Sequence, residues 1–231
     1  GLFERPFSDQ SLLSYVGSQN HREIAREAVR KSMVVLKNNN NILPLPKSGK
    51  TIVVAGRGAN DIGMQSGGWT ISWQGGMGET TKGTTILDAI KSSVDPGTVV
   101  EYSIDGKGFT GDLAVVVVGE KPYAEMMGDK KDLKLAKEDL EVIARFTDVN
   151  IPVVVVLLSG RPMIVTDELD NWDGFVAAWL PGTEGAGVAD VLFGDYNPTG
   201  KLSFSWPKNM TQFPINPEDD HLYQFGFGLS Y

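Results

Sequence analysis

One stretch of this chain concentrates carboxylates. Gly119-Glu120-Lys121-Pro122-Tyr123-Ala124-Glu125-Met126-Met127-Gly128-Asp129 holds three of them, Glu120, Glu125 and Asp129. Acid-catalysed cleavage of a glycosidic bond needs such groups. One carboxylic acid protonates the leaving oxygen, and a second carboxylate works on the other side of the anomeric carbon. Loop carboxylates more often form salt bridges and turns, and the residues alone leave both uses open. A second stretch, Gly67-Gly68-Trp69-Thr70-Ile71-Ser72-Trp73-Gln74-Gly75, sets two indoles four residues apart between glycines. Glycine lets such a loop fold tightly. An indole in a wet loop is costly unless it covers something. It can cap the end of a sheet as core, or it can present a flat platform to the apolar C–H face of a sugar ring.

Other chemistries are excluded by residue type. The 231 residues contain no cysteine, which removes disulfides, thiolate metal sites and cysteine nucleophiles. The two histidines, His21 and His221, cannot form a His-rich metal cluster and leave a Ser-His-Asp triad little to work with. No metal or other cofactor is expected. Gly106-Lys107-Gly108-Phe109-Thr110-Gly111 matches the dinucleotide fingerprint, but it leads into an apolar run at Leu113 and does not open a helix. Gly56-Arg57-Gly58 follows a strand, yet Asp61 stands where the third glycine belongs. No G-x-S-x-G elbow occurs. A net charge of −8 is the reverse of what nucleic-acid binders carry. The longest apolar runs, such as Ile151 to Leu158, fall far short of the roughly 18 residues a membrane helix needs. Neither nucleic acid nor membrane is therefore an expected partner. One sequon, Asn209-Met210-Thr211, matters only in a secreted eukaryotic setting.

The elements that must hold the two loops read as follows. Thr51–Ala55, Val99–Ser103, Leu113–Val118, Pro152–Leu158 and Gly174–Leu180 are short runs rich in apolar and β-branched residues. Helical patterns fall between them near Thr84 and over Ala136–Thr147, and after the last of them over Glu184–Phe193. Continuously apolar strands are buried on both faces, so the expected fold is α/β: a three-layer α/β/α sandwich with a mainly parallel sheet of five or six strands. Ligand chemistry in such sheets lies beyond the carboxyl ends of the strands. Upstream, a helix is expected over His21–Lys37, capped by Asn20 with Glu23 three residues on. Its stripe would be Ile24, Ala28, Ser32 and Val35, widened by Ala25, Val29 and Leu36. The expected division is residues 1–49 as linker and helix, 50–207 as the sandwich, and 208–231 as an aperiodic tail wrapping it. The chain opens on Gly without an apolar leader, as expected of a fragment or processed product.

Charge is uneven along the chain. Residues 18–50 carry seven Lys/Arg against two Glu, and residues 162–200 carry seven Asp/Glu with no Lys/Arg. Two solvated faces are the expectation. The sharper alternative is a basic arm that docks on another part of a larger protein.

Taken together, several stretches resemble the second domain of family 3 glycoside hydrolases of the β-glucosidase and exo-β-glucanase kind. They are Gly67–Gly75, Gly83–Asp88, Gly119–Asp129, Ser159–Pro162, Trp179–Gly187, Ala189–Lys201 and the closing Phe225–Tyr231, with Gly1–Phe7 resembling the interdomain linker. The resemblance implies a two-domain enzyme acting on β-linked glucosides or oligosaccharides. A (β/α)8 barrel would supply the pocket for the terminal sugar and an Asp nucleophile; the α/β/α domain would lend the acid/base and an aromatic wall. By that resemblance the acid/base falls on Glu125, and Trp73, with Trp69 beside it, flanks the aglycone site. Met126-Met127 replace an expected Thr-Lys and make the neighbourhood less basic. Two other classes stay open: a stand-alone carbohydrate-binding domain and a purely structural docking domain. At least one of Trp69 and Trp73 is expected to be exposed, on the same side as Glu125. With no barrel present, the chain is expected to fold without hydrolysing aryl β-glucosides.

Overall fold

The computed structural model describes residues 1–231. Six strands form one sheet: β1 (Val34–Asn38), β2 (Thr51–Ala55), β3 (Val99–Ser103), β4 (Leu113–Gly119), β5 (Val153–Leu158) and β6 (Gly174–Trp179). Their spatial order is β1-β6-β5-β4-β2-β3. All neighbours pair in parallel except β1 and β6. The five runs rich in β-branched residues are thus the five parallel strands.

Five helices flank the sheet: α1 (Gln19–Ser32), α2 (Ile62–Ser66), α3 (Ile86–Ser93), α4 (Lys137–Thr147) and α5 (Gly185–Leu192). Side chains alternate across β4. Val115 and Val117 enter one core with Ile86 and Ile90 of α3 and with Val188 and Leu192 of α5. Ala114, Val116 and Val118 enter the other with Ile143 and Phe146 of α4, Trp172 and Trp206. Each fully buried Val or Leu contributes about 1.5–3 kcal/mol, which is why the central strands need no polar face. The result is the expected three-layer sandwich.

The helix expected over His21–Lys37 is corrected. It ends at Ser32, Ser18 and not Asn20 is its N-cap, and no side-chain cap bond forms. Met33, Val34, Val35 and Leu36 are all buried. Four consecutive apolar residues suit a strand covered on both faces, and Val34 pairs with Ala177 of β6. The segment expected as linker and helix therefore contributes a sheet strand, while residues 1–17 are exposed throughout. The expected stripe is also displaced: Ile24 is exposed, and only Val29 of α1 is buried.

Ion pairs seat α1 instead. Arg22 meets Glu184 at 3.0 Å. The Arg26 Nε donates to Asp190 at 2.7 Å, and Arg30 lies 3.7 Å from the same carboxylate. Further along, Lys47 pairs with Asp195. The basic and acidic segments are therefore not two solvated faces. They meet each other, and the basic arm docks within this chain. Beyond Asn197 the tail covers the β1 edge of the sheet and pairs with itself. Leu229 donates to the Val35 carbonyl at 2.8 Å, and Trp206 donates to that of Tyr223 at 2.7 Å.

Candidate functional site

The strand order reverses at β2. The chain passes from β2 outward to β3, then returns to β4 on the other side of β2. Crevices in open α/β sheets form at such a switch point, beyond the carboxyl ends of the strands. The loop after β2 carries Trp69 and Trp73, and the loop after β4 carries Glu120 and Glu125. Topology alone thus brings together two stretches some fifty residues apart.

Asp61 opens the indole loop. It caps α2 by accepting from Met64 N at 2.7 Å and also accepts from Gly78 N at 2.8 Å, closing the loop onto its own start. Inside that closure the backbone is strained. Trp69 and Ile71 have φ of 60° and 64°, a region costly for a bulky or β-branched residue. Trp69 N donates to the Trp73 carbonyl at 3.0 Å, and the two ring centroids lie 6.4 Å apart. Trp69 is 68% exposed and Trp73 47%. Both indoles are therefore open, and neither caps the sheet as core.

The carboxylate loop has a fixed root and a free tip. At the root, Glu120 is buried. Arg161 grips it with two bonds, Nε at 3.1 Å and Nη2 at 2.7 Å. Lys130 donates at 3.0 Å, Ser159 at 2.8 Å and the Tyr123 hydroxyl at 3.0 Å. Burial pushes the Glu120 carboxyl up, but the bonds from Arg161, Lys130 and Ser159 outweigh it and hold the group below its ordinary range. Burial and the Glu120 charge push Tyr123 up to about 12, so it remains a hydroxyl donor. Its ring lies 4.7 Å under the Arg161 guanidinium. An ionised carboxylate with every nearby donor aimed at it has no proton to give. Glu120 is a structural anchor.

At the tip, Glu125 opens a 3-10 turn, Glu125–Gly128. It is exposed, and no side-chain hydrogen bond or ion pair holds its carboxylate. Its φ is 52°, again in the left-handed region. Asp129, Met126 and Met127 are exposed beside it. The three carboxylates are thus not equivalent: the structure locks one and leaves two in solvent.

The two loops are knitted directly. The Gln74 Oε1 accepts from Ala124 N at 2.9 Å, and its Nε2 donates to the Ala124 carbonyl at 3.3 Å. At Gly68 an added Cβ would lie 2.1 Å from the Tyr123 carbonyl oxygen, so only glycine lets the chains approach this closely. A cleft of about 180 Å³ runs between them, lined by Gly67, Gly68, Tyr123, Gly160 and Leu180. The expectation that an exposed Trp shares the sheet end with Glu125 is met. Gln74 and Arg161 were not singled out from the sequence. Both sit in loops beyond strand ends, but their types carried no signal of what they touch.

Residues 33–231 match the sequence family described as Glycosyl hydrolase family 3 C-terminal domain. A lysosomal beta glucosidase of Dictyostelium discoideum is 30% identical over the whole chain, which spans 32% of that protein. A periplasmic beta-glucosidase of Salmonella typhimurium is also 30% identical, and the chain spans 38% of it. The crystal structure of an exo-1,3/1,4-beta-glucanase from a Pseudoalteromonas species superposes with a TM-score of 0.90 and 46% identity. The match covers 95% of this chain and 29% of that one. A beta-glucosidase from Listeria innocua, in complex with glucose, gives a TM-score of 0.84 at 26% identity over the full chain and 36% of its own. The chain therefore spans about a third of the length of the relatives it matches. It belongs to glycosyl hydrolase family 3, as a C-terminal domain of that family.

Proposed function

We propose that this domain completes the active site of a retaining, exo-acting β-glucosidase or β-glucan glucohydrolase. A preceding (β/α)8 barrel would bind the terminal glucosyl unit and provide the nucleophile. Glu125 would act as general acid and then general base, and Trp69 and Trp73 would form the wall that receives the leaving sugar. Residues 1–17, exposed and carrying Leu2, Phe3 and Phe7, would connect the two domains. One observation carries the reading: a free carboxylate and two open indoles are held side by side at the sheet's switch point by direct bonds between their loops.

The chemistry follows from that placement. A retaining reaction needs two carboxyl groups about 5–5.5 Å apart. Glu120 cannot be the second, because Arg161 and Lys130 hold it in the wall. The second must come from outside, and the exposed tip suits a surface that another domain covers. Covering it would strip water from Glu125 and favour the protonated acid. Protonation of the leaving oxygen is worth about 10²–10⁴-fold in rate.

The test is a pair of substrates. In the full-length enzyme, Glu125→Ala should lower kcat/KM by about 10²–10⁴-fold on cello-oligosaccharides and far less on dinitrophenyl β-glucoside, whose leaving group needs no proton in the first step. Equal losses on both would mean that Glu125 is structural. The isolated 231-residue chain should fold without turnover of aryl β-glucosides. Turnover abolished by Glu125→Ala would place a complete site in this domain and overturn the two-domain reading. Oligosaccharide binding by the chain, with full-length activity indifferent to Glu125, would favour a binding module.

A further inference from the structure

We infer that Gln74 is a positioning residue, coupling the indole wall to the placement of Glu125; this rests on the reading of Glu125 as the acid. The carboxylate at the tip has no side-chain partner of its own, so its position is inherited from its backbone. That backbone is held on one side by the Glu120 anchor, five residues upstream. On the same, upstream side the nearest fixed point, directly before the tip, is Ala124, which is buried and bonded by both ends of the Gln74 amide. Gln74 directly follows Trp73, and Ala124 directly precedes Glu125. A displacement of Trp73 on binding a sugar therefore passes through one side chain to the residue that delivers the proton.

The amide is suited to this task. It offers one acceptor and one donor to the two polar groups of a single residue, which fixes the Ala124 peptide units in rotation as well as position. Glu125 at φ 52° would otherwise relax toward an ordinary backbone conformation. Relaxation would swing the carboxyl away from the leaving oxygen. A misplacement of 1 Å at a reacting group can cost about 10²-fold. Aromatic contact alone would not suffer, because Trp69 and Trp73 are joined to each other through their own backbone.

The experiment is done in the full-length enzyme, with Gln74→Leu to remove both bonds and Gln74→Glu to keep only the acceptor. For Gln74→Leu, kcat on cellobiose should fall by about tenfold or more, within the range such misplacement allows, while KM changes little. On dinitrophenyl β-glucoside kcat/KM, which reports the step that needs no acid, should barely change, whereas kcat/KM on cellobiose falls with kcat. Gln74→Glu should fall between wild type and Gln74→Leu on cellobiose. Added to Glu125→Ala, Gln74→Leu should cause no further loss, because the group it positions is gone. Equal losses on the two substrates, or losses that add to those of Glu125→Ala, would overturn the coupling and leave Gln74 a loop brace. If Gln74→Leu does not fold, the Gln74→Glu substrate ratio decides alone, and an unchanged ratio overturns the proposal. A Glu125→Ala enzyme that shows no leaving-group dependence would overturn the underlying reading as well, and that outcome is visible without any Gln74 variant.

Discussion

Glu120 and Glu125 lie five residues apart on one loop and have opposite fates. Glu120 at the root is buried and takes bonds from Arg161, Lys130, Ser159 and Tyr123. Glu125 at the tip is exposed, unpartnered and backbone-strained. The first spends its charge on holding the loop; the second keeps its charge for a visitor. A carboxylate that is fully satisfied stabilises and cannot donate a proton, whereas an unsatisfied one adds no stability and can react.

The contrast is sharpest in stability. Arg161→Ala leaves a buried carboxylate short of its main partner and should cost about 3–5 kcal/mol, toward the lower figure because Lys130 remains. Arg161→Lys keeps the charge but loses the two-bond fork, so it should recover only part. Chemical denaturation of the purified chain measures both. A cost under about 1 kcal/mol, the range of exposed pairs, would show that the anchor is no stronger than a surface salt bridge. At the tip, Trp73→Ala should raise KM for oligosaccharides in the full-length enzyme by about tenfold, equivalent to 1.4 kcal/mol, and leave stability nearly unchanged. Unchanged KM would remove the aromatic wall. Glu125→Gly should stabilise the chain by about 1 kcal/mol, since glycine adopts φ 52° without strain, while Glu125→Ala should not. Identical melting points for the two would show that the tip is unstrained.

The smallest effect is in pH. The Glu120 carboxyl is held below its ordinary range in the folded chain. Its contribution is therefore complete above the unfolded carboxylate value, about 4.3. It is lost as pH falls through the depressed folded value. Glu120→Gln should weaken the acid dependence of the melting temperature below pH 5 and leave its shape near neutrality unchanged. An unaltered acid limb would mean that Glu120 is not ionised in its cage.

Much of this is legible in the sequence. Runs such as Leu113–Val118 are rich in apolar and β-branched residues over a strand's length, and that composition dictates strands buried on both faces whatever their neighbours. Two indoles between glycines, and acids grouped beyond a strand, single out the two loops but leave open whether their side chains pack inward or face solvent. Other features depend on contacts between residues far apart in the chain. Val34–Asn38 reads as the end of a helix until β6 offers it a partner. The basic and acidic segments read as two separate faces until folding sets Arg26 against Asp190. Glu120 and Glu125 are the same residue type in the same loop, and nothing local separates them. Arg161, 41 positions away, reaches one and not the other. Burial and pairing are properties of where chain segments meet in space, and only the folded sheet brings those segments together.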